Sequence, residues 1–381
     1  MGKKKAVCAA TAIQCFVNTG SGLAPLDSGS EKQSISSQEL PGGSGLTYGQ
    51  YLHAVTDILC DNSFTVLKEL LEKQPKPVGK LETATSIDLI AEKHGALYSV
   101  SRLVLRFPDD TIEFAVNCAF SPEQQAFLQV ETGLLGDLGK KFDLPYLPLP
   151  FISAKAPGIS LFIAQWFKNH HEFHLSAQDC GTPPAIKIWK DFGKAQTLIA
   201  AQVPELYAQA SKILTSYLDP DSFSQIYPWH NAAGDFIIDD SQSPVSLKLI
   251  TARGYRPLLS RQADSMDKMV GSLHFFVNLC LRLRLDRLDG VGEPAWAGPN
   301  CLPGILRGFR QAWETLRKDT NLPKVEEIFS LFHALSPVER LAFAEAVASD
   351  GMVEADESDF LSARLPGCMD ELADALKVYN F

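Results

Sequence analysis

The stretch QIYPWHNAAGDFII, residues 225–238, decides how the rest of the chain is read. It starts with β-friendly Ile226-Tyr227-Pro228 and passes through Trp229-His230-Asn231. It then crosses two alanines and Gly234, meets Asp235 and enters the apolar run 236–238. A polar loop leading straight into a buried strand is a common place for binding and catalytic side chains, because the strand fixes what the loop presents. Gly234-Asp235 also has a plainer reading, as turn chemistry that starts a strand.

Working outward, Leu52, Val55, Ile58 and Leu59, then Leu67, Leu70 and Leu71, fall at helical spacing, and Asn62-Ser63 between them predicts two short helices. The period then changes. Residues 96–121 hold two β-rich runs around Pro108-Asp109-Asp110, the signature of a hairpin. Pro122 opens a helix that runs to about residue 142. The stretches GISLFIAQWF and AIKIWKD read as strands, and LPYLPLPFI as an extended connection. Residues 194–218 read as a helix, and DFIIDDSQSPVSLKLITARGY as a second hairpin turning at 239–244. From Ser265 onward the pattern is mostly helical. GSLHFFVNLCLRLRLDRL reads as a long buried helix, and Ser336-Pro337 as the N-cap and first residue of another.

This order of elements, with the loop before the second hairpin, resembles a protein-kinase-like fold of the aminoglycoside phosphotransferase type over residues 86–320. That family carries a loop of the form H-G-D-x-H-x-G-N followed by an apolar strand, and PWHNAAGDFII lies on it without a gap. Gly234 takes the position of the family's glycine. Asp235 replaces the metal-binding Asn, and an acid there could still hold Mg²⁺. His230 stands where the catalytic Asp would be, and Pro228 where the leading His would be. On the strand EFAVNCAF, Asn117 falls at the phosphate-pairing Lys, and Glu131 on the next helix at its acidic partner. At the end of the second hairpin Thr251 falls where the family has its second metal-binding Asp. Arg102, Arg106 and Arg253 are the cations that could replace the lysine, Arg253 first among them. Phosphoryl transfer relies on an electrostatic clamp around phosphates and metal, and most of that clamp is missing.

The resemblance therefore implies a catalytically degenerate kinase-like domain, acting through ATP binding or protein contact. Two other readings stand beside it. One is an active ATP- and Mg²⁺-dependent phosphotransferase on a small molecule, with Asp235 on metal and His230 and Arg253 catalytic; Asn117, Glu131 and Gly234 would then bind the cofactor. The other is a ligand-free scaffold. Glu131 also has a plain reading as a solvated helix acid.

The expected fold class is α+β and two-lobed, a small antiparallel sheet lobe with a larger helical lobe, joined near 166–169. The expected divisions are a flexible tail at 1–46, a helical extension at 47–85 and a sheet lobe at 86–192. A helical lobe at 193–320 with the loop 225–238, and a helical extension at 321–381, complete them. Residues 1–20 start basic and turn mildly apolar, the outline of an export signal, but the apolar part is short and broken by Thr11 and Gln14.

The chain has 381 residues, 45% hydrophobic and 21% charged, a globular composition. Its formal net charge of −10 argues against nucleic acid, which needs a basic footprint. No run is long and apolar enough to predict a transmembrane helix. Eight scattered cysteines without C-x-x-C spacing read as reduced thiols of a cytoplasmic protein.

Three further stretches draw notice. In NHHEFHLS, His170 and His174 would share a helix face; they read as a polar surface between lobes rather than a metal site, since H-E-x-x-H is absent. RLRLDRLDG reads as a salt-bridged helix face, and SDGMVEADESDF as a solvated acidic loop without the glycine an EF-hand requires.

Overall fold

The computed structural model describes residues 12–19, 22–35, 45–74, 79–94, 98–178, 183–190, 194–229, 234–260, 263–318, 320–350 and 355–379. The chain is of mixed α and β structure and divides into two compact units. The first comprises 1–140, 148–168 and 191–193; the second comprises 141–147, 169–190 and 194–381.

The first unit holds a seven-stranded sheet in the order β2-β1-β3-β4-β5-β7-β6. Its strands are β1 (Ile13–Thr19), β2 (Gly22–Pro25), β3 (Ser86–His94), β4 (Ser99–Arg106), β5 (Thr111–Ala119), β6 (Pro150–Ala156) and β7 (Ile159–Gln165). Every pairing is antiparallel except β1 with β3. The predicted hairpin at 96–121 is β4 and β5. Helix α1 (Tyr48–Glu72) covers one face, packing Leu52, Val55, Leu59, Leu67 and Leu70 with Leu89, Leu103, Val116 and Leu161. At about 25 cal/mol per Å² of buried apolar surface, such a helix–sheet contact is the main source of the unit's stability. α1 starts with a capping box between Thr47 and Gln50, and Asn62, Ser63 and Phe64 leave helical geometry, which gives the two helical pieces expected.

The other sheet face is set by register, since residues directly opposite one another in an antiparallel pair share a face. Arg102 lies opposite Ala115, and Asn117 opposite Val100 and Phe162. Helix α2 (Pro122–Phe142) follows β5, and Ser160 at the start of β7 donates to Gln125 at 3.2 Å.

In the second unit a five-stranded sheet runs β10-β9-β8-β12-β13. The numbering is β8 (His171–Ser176), β9 (Ala185–Trp189), β10 (Ala195–Thr197), β11 (Gln225–Ile226), β12 (Phe236–Asp239), β13 (Ser246–Leu249), β14 (Tyr255–Arg256), β15 (Leu285–Arg287) and β16 (Pro294–Trp296). β11 pairs with β14 and β15 with β16 as short ribbons. The helices are α3 (Val203–Ser216), α4 (Ser265–Arg282), α5 (Leu302–Arg317), α6 (Val325–Ala334), α7 (Pro337–Ser349) and α8 (Ala355–Val378). Phe276, Phe309, Trp313 and Phe329 form a run of ring contacts at 4.9–6.2 Å between α4, α5 and α6. α7 begins as expected, with Glu339 N–H donating to Ser336 Oγ at 3.3 Å.

Several expectations are corrected. The tail at 1–46 contains β1 and β2. Period-2 alternation in IQCFVNT turns Val17 into the core while Gln14 and Asn18 fall on the opposite face, so the polar residues mark a strand. The extension at 47–85 holds α1, the helix that covers the sheet. The sheet lobe at 86–192 gives up 171–189 to the second unit's sheet. Residues 194–218 begin with β10 before α3. NHHEFHLS is not helical: β8 runs from His171 to Ser176, and its alternation turns Glu172 and His174 to one side. RLRLDRLDG leaves the helix at Arg282: Arg284 is fully buried, donating to Ala297 O and Glu371, and Asp286 accepts from Leu175 N–H at 2.8 Å. In the acidic stretch 355 onward belongs to α8, and Glu357 is buried against Arg287 at 3.0 Å. Long-range partners decided these cases, and local pattern cannot display them.

Among the described residues no helix is long and apolar enough to cross a membrane. Cys15, Cys60, Cys118, Cys280, Cys301 and Cys368 are free thiols; Cys8 and Cys180 lie outside the described residues.

Candidate functional site

Asp235 is placed by two sets of backbone pairings. Phe236 enters β12 opposite Leu249 of β13, and the Asp235 carbonyl accepts from Ile250 N–H at 2.7 Å. Upstream, β11 pairs with β14, and Tyr227 N–H donates to Gly254 O at 3.1 Å. Gly254 is needed there: a Cβ would lie 2.6 Å from the Tyr227 carbonyl oxygen. Trp229 is buried edge-on against Phe236, with centroids 6.0 Å apart. These pairings hold both flanks of the loop, and His230 with 231–233 lies outside the described residues.

The result is an ion pair. Asp235 is 1% exposed, and Arg253 Nη2 lies 2.5 Å from its Oδ1. Gly234, with φ +66°, lies against Glu172; a Cβ there would meet the Glu172 carboxylate at 2.7 Å. Its conformation favours glycine, and a Cβ would have to displace the end of the Glu172 side chain. From Glu172 a chain of polar groups leads inward. His174 Nε2 is 3.9 Å from Glu172 Oε2, and His174 Nδ1 is 3.5 Å from Asp286 Oδ1. Across the hairpin, burial works against ionisation of Asp239, but bonds from Ser241 with His170 nearby outweigh it and hold its pKa below the usual carboxylate value.

Thr251, where the resemblance wants a second acid, is buried and carries only a hydroxyl. Among the described residues no group of three or more His, Cys, Asp or Glu stands where it could hold a metal ion. Mg²⁺ favours several oxygen ligands, usually with one or two carboxylates. Here a single buried carboxylate is already held by a guanidinium, so the described donors do not suit Mg²⁺ and no chemical step is drawn through it.

The remaining sequence-derived residues lie in the first unit. Asn117 is half-buried on β5. Glu131 is 5% exposed, not a solvated acid, and accepts a hydrogen bond from the Tyr98 hydroxyl. No hydrogen bond joins Asn117 to Glu131 among the described residues. Arg106 pairs with Asp88. Arg102 Nε is 2.7 Å from Glu92 Oε1, its Nη1 is 3.8 Å from Glu113 Oε1, and its guanidinium carbon is 5.3 Å from the Trp166 ring centroid. Sequence reasoning missed Glu172, Glu92, Glu113 and Tyr98 as site neighbours. For Glu113, Ala115 and Asn117 the signal was present: the alternation of β5 places all three on one face.

No known protein family matches this chain, and a comparison with curated proteins gives no match either.

Proposed function

We propose that the protein is a catalytically degenerate kinase-like domain that acts by binding rather than by phosphoryl transfer. One observation carries this reading. Each cation that could replace the missing lysine is engaged by carboxylate within its own unit: Arg253 by Asp235, Arg106 by Asp88, Arg102 by Glu92 and Glu113. A cation whose charge is already neutralised supplies little to a phosphate clamp. Support also comes from the first unit's topology. Three successive strands, a helix after the third, and an order β3-β4-β5-β7-β6 agree with the element order on which the resemblance rests.

The test is purified protein with labelled ATP and Mg²⁺ or Mn²⁺. No phosphate release or transfer is expected. Turnover that Arg253→Ala abolishes would establish the active phosphotransferase instead. A thermal-shift series with ATP or ADP then separates nucleotide binding from protein contact, because a ligand that binds only the folded state must raise the melting temperature.

A further inference from the structure

We infer that Arg102 closes the Asn117 face of the first unit's sheet to nucleotides. This rests on the reading above and argues against its nucleotide-binding branch. The argument begins with register. Arg102 sits opposite Ala115, two pairs along from Asn117, so it shares the face that Asn117 presents. Its guanidinium lies over the Trp166 indole at 5.3 Å. That is a stacked arrangement of a planar cation on an aromatic ring, and it takes the ring surface on which a flat base would stack.

Arg102 is also fixed. Glu92 binds its Nε side and Glu113 lies toward Nη1, while Glu92 Oε2 accepts from Asn18 Nδ2 at 2.9 Å. The arginine and both acids are between 13% and 22% exposed in their side chains, so solvent screens the pairs only in part. Two carboxylates against one guanidinium leave this cluster net negative. Glu113 Oε2 is buried and makes no hydrogen bond among the described residues, so only its other oxygen faces the guanidinium. A polyphosphate entering here would meet an occupied ring and a repelling field. Arg102 thus acts as a specificity-determining residue that excludes nucleotides.

The experiment is titration of adenosine and of ADP into wild type, Arg102→Met and Arg102→Lys, read by calorimetry and tryptophan fluorescence, with circular dichroism as the check on folding. Trp166→Phe in each background assigns the fluorescence signal. Wild type should bind neither ligand at millimolar concentration. Arg102→Met should bind adenosine with Trp166 quenching, and ADP at least tenfold more weakly, since the two acids remain. Arg102→Lys, which keeps the charge but loses the planar stack, should fall between them for adenosine, and it carries the test if Arg102→Met does not fold. Any ADP binding by wild type overturns the inference, as does a folded variant series that never binds adenosine. Both outcomes leave the degenerate reading standing; ATP turnover by wild type would sink that reading itself.

Discussion

Two guanidiniums occupy comparable chemical situations in different settings. Arg253 meets one carboxylate, Asp235, which is almost completely buried and lies between a loop and a strand. Arg102 stands in mid-strand, shared between two carboxylates and an indole. The first is a contact to a charge that is almost wholly buried. The second is a distributed one, in which each partner is partly solvated. Burial of the acid, more than the number of contacts, should decide how much each arginine matters, because the desolvation cost falls on a charge that has lost its partner.

The comparison breaks most directly at Arg253. Arg253→Met takes the guanidinium from a buried carboxylate, and the expected loss is about 3–5 kcal/mol in urea unfolding. A loss no larger than that of Arg102→Met would mean that burial is not the deciding factor. Next comes Gly234→Ala, which puts a Cβ against the Glu172 carboxylate at a backbone angle L-residues avoid. It should cost about 1–3 kcal/mol, and Glu172→Ala in the same background should recover the steric part. Arg102→Met should cost about 1–2 kcal/mol, since Glu92 and Glu113 keep partial access to water.

A third pair calibrates the other two by pH. Burial disfavours ionised Asp219, yet hydrogen bonds from Lys141 and from Ser222 prevail and hold its pKa at about 2. The folded value lies below the unfolded carboxylate value near 3.9. Its contribution is therefore complete above about pH 4 and is lost as pH falls toward 2. Lys141→Met should flatten that acid loss in unfolding curves taken from pH 5 to 2; an unchanged slope would remove Lys141 as the cause. The smallest effect belongs to Lys377→Ala, whose pair with Asp374 is exposed on both sides. The unfolding midpoint should not move, as surface pairs contribute little.

Much of the fold was legible before any coordinates. The hairpin at 96–121, helix α2, strand β7, the second hairpin and the Ser336 cap follow from short-range pattern: alternation, turn residues and cap chemistry act within a few neighbours. The break at Asn62-Ser63 belongs with them. Strand β1 was not read correctly, because Gln14 interrupts the apolar run like a weak leader until a partner strand shows which face it occupies. Of the candidate site, sequence pattern brought forward Gly234, Asp235 and Arg253 without pairing the last two.

By itself, then, the sequence determined the local elements and the acidic charge, since each of these is a property of residue type and near-neighbour spacing. Only tertiary structure decided which charges meet. Asp235 and Arg253 come together because β12 pairs with β13 and β11 with β14; Arg102, Glu113 and Trp166 because neighbouring strands turn alternate residues to one face. The energy of a charge depends on its burial and on the partner within a few ångströms, and both are set by chain segments far apart in sequence.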